Sequence, residues 1–286
     1  MPLWADPGGA QERSREYVHK CWRAARTWSC KSLKRGDRWK QPPVVSEPWG
    51  AATGPGPVAL VGSGEYLPQM AEFEARLLEG RPARYVQLAT ASVPDGPSVV
   101  DRWHSLGLAQ AQRLGAEPVI LAVNERSDAD DPAMASLVAG AGLIYLSGGN
   151  PTYLADTLRD TAVWAAIVAA WQGGAALAGC SAGAMAMTSW VPSLWHPRKG
   201  GTAGLALLPH LRVIPHFDAF AARVPDLITR FMVPHDPAVT LVGIDEETAL
   251  VGGPTEWTVQ GRQSAWLLTA EGREERPAGT TVSTPT

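Results

Sequence analysis

The sequence predicts an α/β protein of three layers, doubly wound around a mostly parallel sheet, with a small β-rich part towards its C-terminal end. Two observations carry this expectation. From Val58 onward, short and wholly apolar runs alternate with stretches of helical apolar spacing. Strands that are apolar on both faces belong to a sheet covered by helices on both sides, and such sheets are parallel. In addition, four polar or glycine-rich features fall at the ends of those runs: residues 62–65, residues 147–150, Ser181 and His216. Open α/β sheets carry their sites beyond the carboxyl ends of the strands, so the four features converge on one edge.

The elements follow in order. Residues 58–62 form a buried strand ending in Gly-Ser-Gly-Glu, and residues 67–78 have helical apolar spacing. A strand at 85–89 precedes a long amphipathic helix at 99–114, and a third strand is expected at 118–123. Residues 142–146 make a fourth strand, followed by Ser147-Gly148-Gly149-Asn150. There Asn150 is placed to cap a helix that has Pro151 at its first position. The run 175–178 leads into Gly179-Cys180-Ser181-Ala182-Gly183, and a further strand at 211–214 ends at Pro215-His216. Short β segments at 240–244, 248–251, 257–260 and 265–268 close the domain.

Length and charge bound the rest. A chain of 286 residues with a hydrophobic fraction of 45% can bury one sizeable core. That core is expected in one domain at 57–270. Residues 1–49 hold 10 Lys+Arg against 5 Asp+Glu, while the remainder holds 15 against 23 and is acidic. The acidic body argues against a nucleic-acid partner. Residues 1–56 read as a basic, disordered extension and linker with five of the twelve tryptophans, and 271–286 as a disordered polar tail. A basic, Trp-bearing extension also suits a membrane surface or a partner. No run of 18 apolar residues predicts a membrane span, and the charged N-terminus lacks the apolar stretch of a signal peptide. Three cysteines, Cys21, Cys30 and Cys180, suggest neither a disulfide framework nor a metal set, so a cytoplasmic location is expected. No cofactor is expected either, because Gly62-Ser63-Gly64 does not continue into a dinucleotide fingerprint: Leu67 stands in the last glycine place.

The chemistry centres on Ser181. Gly-x-Ser-x-Gly between a strand and a helix is the context of a nucleophile elbow, in which a strained turn lifts the hydroxyl clear of the backbone. The N–H of Ala182 is then placed to meet an oxyanion, and the Gly148-Gly149 turn either offers a second donor or serves only as the strand-to-helix turn ahead of the Asn150 cap. A serine hydroxyl needs a neighbouring base, and His216, at a strand end 35 residues on, is the best candidate. Glycines flank Ser181 at ±2 whereas alanines flank Cys180, so the register of the elbow favours the serine and leaves Cys180 as a small buried residue.

Residues 144–151 (Ile-Tyr-Leu-Ser-Gly-Gly-Asn-Pro), 179–184 (Gly-Cys-Ser-Ala-Gly-Ala) and 215–217 (Pro-His-Phe) together resemble the aspartyl dipeptidase and cyanophycinase family of serine peptidases. That family lies in the class I glutamine amidotransferase-like superfamily, and the resemblance spans roughly 58–268. It implies a flavodoxin-like fold. It also implies Ser181 as nucleophile, His216 as base, and Gly149 with Ala182 as oxyanion hole. The reaction implied is cleavage beside aspartate, in an Asp-X dipeptide or in β-aspartyl-arginine.

One departure matters. The family's acid lies between serine and histidine, yet residues 182–215 contain no Asp or Glu, and His196 stands roughly where it would fall. Glu65, at the end of the first strand, is the first replacement to consider, and Asp218 the second. Otherwise the chain is a non-catalytic or weakly active binding or regulatory relative. An α/β-hydrolase esterase is a further alternative, with Asp218 or Asp226 followed by His235. A substrate carboxylate calls for a cation, so Arg198 and Arg212, with Asn150, are the expected substrate contacts, and Lys199 and Arg223 are further cations nearby. Trp190 and Trp195 are placed to line or cover the pocket. The expected partner is a small aspartyl peptide, and a homodimer is compatible with the sequence.

Overall fold

The computed structural model describes residues 54–192, 201–221 and 236–285. Its centre is an eight-stranded sheet. Five strands run parallel: β1 (Val58–Val61), β5 (Ala176–Cys180), β4 (Leu143–Leu146), β2 (Arg84–Leu88) and β3 (Glu117–Ile120), side by side in that order. On the other edge of β1 the sheet continues antiparallel through β10 (Thr248–Gly252), β11 (Glu256–Gly261) and β14 (Thr281–Ser283).

Successive residues of the central strands enter different cores. Val58 and Leu60 of β1, Val86 and Leu88 of β2 and Ile144 and Leu146 of β4 share one apolar cluster. Their neighbours Ala59, Val61, Tyr85, Leu143 and Tyr145 share another. The two-residue period of a strand, with apolar residues on both of its faces, therefore builds a core on each side of the sheet. Helices α1 (Ala71–Leu78) and α2 (Pro97–Arg113) add Phe73, Leu77 and Ala111 to the second cluster. Beyond two short helices, α3 (Arg126–Ala129) and α4 (Pro132–Ser136), α5 (Pro151–Leu158) and α6 (Ala162–Gln172) put Leu154, Val163 and Ile167 into the first. These are the three layers expected of the fold. Helix α6 was not foreseen: Ala-Val-Trp-Ala-Ala-Ile-Val-Ala-Ala-Trp-Gln is apolar nearly all round, so it has no amphipathic period to read.

A second sheet of four strands runs β13 (Arg273–Pro277), β12 (Ser264–Leu268), β9 (Thr240–Ile244), β8 (Leu211–Ile214). The pair β8–β9 is parallel and the other pairs are antiparallel. A small hairpin, β6 (Trp190–Pro192) with β7 (Gly201–Ala203), follows the elbow helix α7 (Ala182–Ala186). Helix α8 (Phe217–Ala221) follows β8.

The expected tail at 271–286 is corrected here as far as residue 285. Its polar residues form β13 on the edge of the second sheet and β14 on the edge of the first. Alternation explains why: Val282 and Thr284 turn inward, and the Trp257 indole N–H donates to Thr284 Oγ1 at 2.8 Å. An edge strand needs only one apolar face, so a polar composition conceals it. The extension at 1–56 lies outside the described residues up to position 53, as do Trp195, His196, Arg198, Lys199, Arg223, Asp226 and His235. Among the described residues no helix is long and apolar enough to cross a membrane.

Candidate active site

The site lies where the two sheets meet. β5 of the large sheet ends at Cys180, just before Ser181, and β8 of the small sheet ends just before His216. The link between β9 of the small sheet and β10 of the large one carries Glu246.

Ser181 adopts φ 50° and ψ −105°, a conformation that side chains rarely enter. Its backbone N–H still donates to Val61 O at 2.8 Å, so the β1–β5 ladder runs up to the turn. The flanking glycines make that turn fit. A methyl at Gly179 would stand 2.6 Å from the carbonyl carbon of Gly183, and one at Gly183 would stand 2.4 Å from Leu146 O. Helix α7 therefore packs directly on β4 and β5, every one of its five residues buried. Ala182 is its first residue, so its N–H has no partner within the helix.

His216 connects the serine to a carboxylate. Its Nε2 lies 3.1 Å from Ser181 Oγ and its Nδ1 lies 2.9 Å from Glu246 Oε1. With Nδ1–H donated to Glu246, Nε2 is left to accept the serine proton. The side chains of His216 and Glu246 are 43% and 45% exposed, so the pair is open to a substrate. His216 also has a positive φ, 51°.

Glu246 was not among the expected residues. Its backbone is held on three sides. Its N–H donates to Asp218 Oδ1 at 3.1 Å, and its carbonyl accepts from Gln263 Nε2 at 3.0 Å and from Thr248 Oγ1 at 3.1 Å. Gln263 Nε2 also donates to Asp218 Oδ2 at 3.1 Å. Neither acid proposed from the sequence occupies the place against His216 Nδ1. Asp218 is spent on the Glu246 loop. Glu65 accepts the Gly148 N–H at Oε1, 3.0 Å, and the Cys180 thiol at Oε2, 2.8 Å. The chain order of the three connected groups is serine, histidine, carboxylate, which also differs from the α/β-hydrolase order. A sequence signal for Glu246 did exist: the run Asp245-Glu246-Glu247 follows an apolar strand directly.

The loop after β4 lies over Ser181. A methyl on Gly148 would stand 3.6 Å from Ser181 Cβ. Glu65 takes the Gly148 N–H and Ala91 O takes that of Asn150, at 2.6 Å. Among the described residues the Gly149 N–H has no such partner. Gly149 has φ 140°, and a methyl there would stand 2.3 Å from Ala91 O, so only glycine fits. Asn150 caps α5, its Oδ1 accepting the Tyr153 N–H at 3.0 Å. Ser147 is fixed by Tyr66 Oη at 2.7 Å and by Gln87 Nε2 at 2.8 Å.

Cys180 is fully buried, and burial, reinforced by the Glu65 carboxylate, pushes its thiol well above the ordinary range. It is a poor nucleophile there. Arg212 lies over the Trp190 ring, 4.4 Å from its centroid, and desolvation lowers its pKa from the ordinary value.

Comparison with known proteins bears on the fold and the family. No curated protein matches the chain. The crystal structure of a peptidase from an acI-B1 Actinobacterium is similar over 81% of this chain and 98% of that one, at 41% identity and TM-score 0.74. That of a candidate peptidase E protein from Listeria monocytogenes EGD-e covers 73% of this chain and 99% of its own, at 15% identity and TM-score 0.52, and supports the fold alone. The profile of peptidase family S51 matches residues 59–256, which include the elbow, the histidine and the carboxylate it bonds. On that match over more than half its length, the chain belongs to peptidase family S51, a family of serine peptidases.

Proposed function

We propose that the protein hydrolyses peptide bonds through a Ser181–His216–Glu246 triad. The observation that carries this is His216 bridging Ser181 Oγ and Glu246 Oε1 at hydrogen-bond distance on both sides. Ser181 Oγ attacks the scissile carbonyl carbon while His216 Nε2 takes its proton. Glu246 keeps the imidazole in the right tautomer and stabilises the imidazolium. The oxyanion that forms is received by the N–H groups of Gly149 and Ala182. His216 then returns the proton to the leaving amine. A water, deprotonated by the same imidazole, releases the acid from the acyl-enzyme.

The reading of a weak or non-catalytic relative rested on the want of an acid. Glu246 removes that motive. For substrate we propose an aspartyl peptide, Asp-X or β-aspartyl-arginine, as the family resemblance implies. Arg212, on the strand that leads to His216, is the described cation best placed in sequence to meet a substrate carboxylate. Arg198 is its counterpart outside the described residues.

The test is hydrolysis of Asp-X dipeptides, β-aspartyl-arginine and short acyl esters by the wild type, Ser181→Ala and His216→Ala. Each variant is expected to lower kcat by about 10⁴-fold or more. Turnover surviving in Ser181→Ala would end the triad reading. Cleavage of esters without aspartyl peptides would leave the nucleophile in place and remove the substrate class.

A further inference from the structure

Glu65 stands outside the triad, yet it touches both arms of the oxyanion hole. Its Oε1 accepts the Gly148 N–H, from the loop after β4, and its Oε2 accepts the Cys180 thiol, from the residue before the nucleophile. The next residue extends the same contact. Tyr66 is buried at φ 65°, and its hydroxyl meets Ser147 Oγ, which Gln87 holds from the other side. Gln87 Oε1 is held in turn by His104 Nδ1 at 2.8 Å. The segment after β1 thus grips consecutive residues, Ser147 and Gly148, and anchors them to β5.

We infer that Glu65 is a positioning residue that sets the oxyanion hole by clamping the β4 loop to the nucleophile strand. The inference rests on the proposed Ser181 mechanism. Two consequences follow from the bonding. By occupying the Gly148 N–H, Glu65 leaves Gly149 as the donor of that loop. By bonding Cys180 as well, it fixes the distance between the Gly149 and Ala182 N–H groups, which follow different strands, β4 and β5. A hole made of two independent segments works only if their spacing matches the oxyanion and not the ground-state carbonyl. A misplacement of about 1 Å can cost about 10²-fold in rate. Glu65 therefore acts on the transition state through other groups, without meeting the reacting atoms itself.

Phosphonylation by a fluorophosphonate probe tests this without knowledge of the natural peptide. Ser181 Oγ attacks phosphorus, fluoride leaves, the serine proton passes to His216, and the phosphoryl oxygen takes the oxyanion position. The maximal rate of inactivation and the half-saturating probe concentration are measured separately across pH for wild type, Glu65→Ala and Glu65→Gln, with thermal melting as the fold control. Glu65→Ala is expected to lower the maximal rate about 10- to 100-fold, with half-saturation within about 2-fold. Glu65→Gln keeps a carbonyl oxygen for the Gly148 N–H and is expected to recover most of the rate. The pH midpoint should not move in either variant, because the His216–Glu246 pair is intact. An unchanged rate in Glu65→Ala overturns the inference, as does a Glu65→Gln variant as slow as Glu65→Ala, or an effect confined to half-saturation. Failure of the wild type to label at Ser181 would overturn the triad reading, and this inference with it.

Discussion

At the end of β5, Ser181 stands on backbone held by packing. The residues around it are glycine, alanine, cysteine and methionine, all buried, and the helix after it touches two strands at distances only glycine permits. At the β9–β10 link, Glu246 stands on backbone held by hydrogen bonds. Asp218, Gln263 and Thr248 grip its peptide groups, while its side chain is 45% exposed. Packing is stiff and intolerant of volume, whereas a polar loop tolerates volume and fails when a bond is lost. The difference teaches that the proposed nucleophile and its proposed acid are vulnerable to different changes.

The sharpest way to separate the two regions is Glu246→Gln. It is expected to lower kcat about 10⁴-fold, by analogy with loss of the triad acid elsewhere. Because the side chain is half exposed, the denaturant midpoint should barely change. A parallel loss of fold and activity would mean the loop is part of the core after all.

A second variant probes the packed side, where one carboxylate lies in the apolar cluster beneath the sheet. Burial pushes Glu74 from its ordinary 4.5 up to about 7, against the pull of the hydrogen bond that Tyr85 Oη donates at 3.0 Å. In the folded chain it stays protonated up to about pH 7, while the unfolded chain ionises from about 4.5. Stability is therefore complete below pH 4.5 and falls as pH rises towards 7, by about 3 kcal/mol in all. Glu74→Gln should be more stable than wild type by about that amount at pH 8 and lose the advantage near pH 4.5. Equal differences at both pH values in urea titrations would refute the buried-acid account.

The smallest effect is expected at Asp218→Ala. Glu246 loses one of three backbone anchors, so kcat should fall about 10-fold with little change in KM. A KM effect alone would instead place Asp218 against the substrate.

The same contrast explains what the sequence revealed. β1, β4 and β5 were legible because each is apolar at nearly every position, β2 because only Gln87 interrupts the run from Tyr85 to Ala89, and the elbow because Gly179, Ser181 and Gly183 sit at a strand end. Ser181 and His216 were proposed from those landmarks, within a residue or two of the observed strand ends, and the structure brings their side chains together. Glu246 was not, because nothing periodic marks it, and the family order directed the search to the acid-free stretch 182–215. Glu65 was noticed for its place at a strand end, but only the structure shows that its oxygens are occupied by Gly148 and Cys180. β13 and β14 were missed because edge strands made of Arg, Glu and Thr look like a tail.

The place of β10 beside β1 has a consequence for how the chain is made. Synthesis runs from the N-terminus, so the first strand of the central sheet appears long before its antiparallel neighbour. From Val61 to Thr248 the ribosome must add 187 residues. At translation speeds of about 5–20 residues per second this takes roughly 10–40 seconds. Over that interval β1 has at least one bare edge, and both until β5 is made at 176–180, and such edges invite pairing with other chains. The strand that covers the last of them arrives immediately after Glu246, so the nascent chain covers that edge of β1 and completes the proposed triad in one event. A chain released before that point would be both sticky and inert.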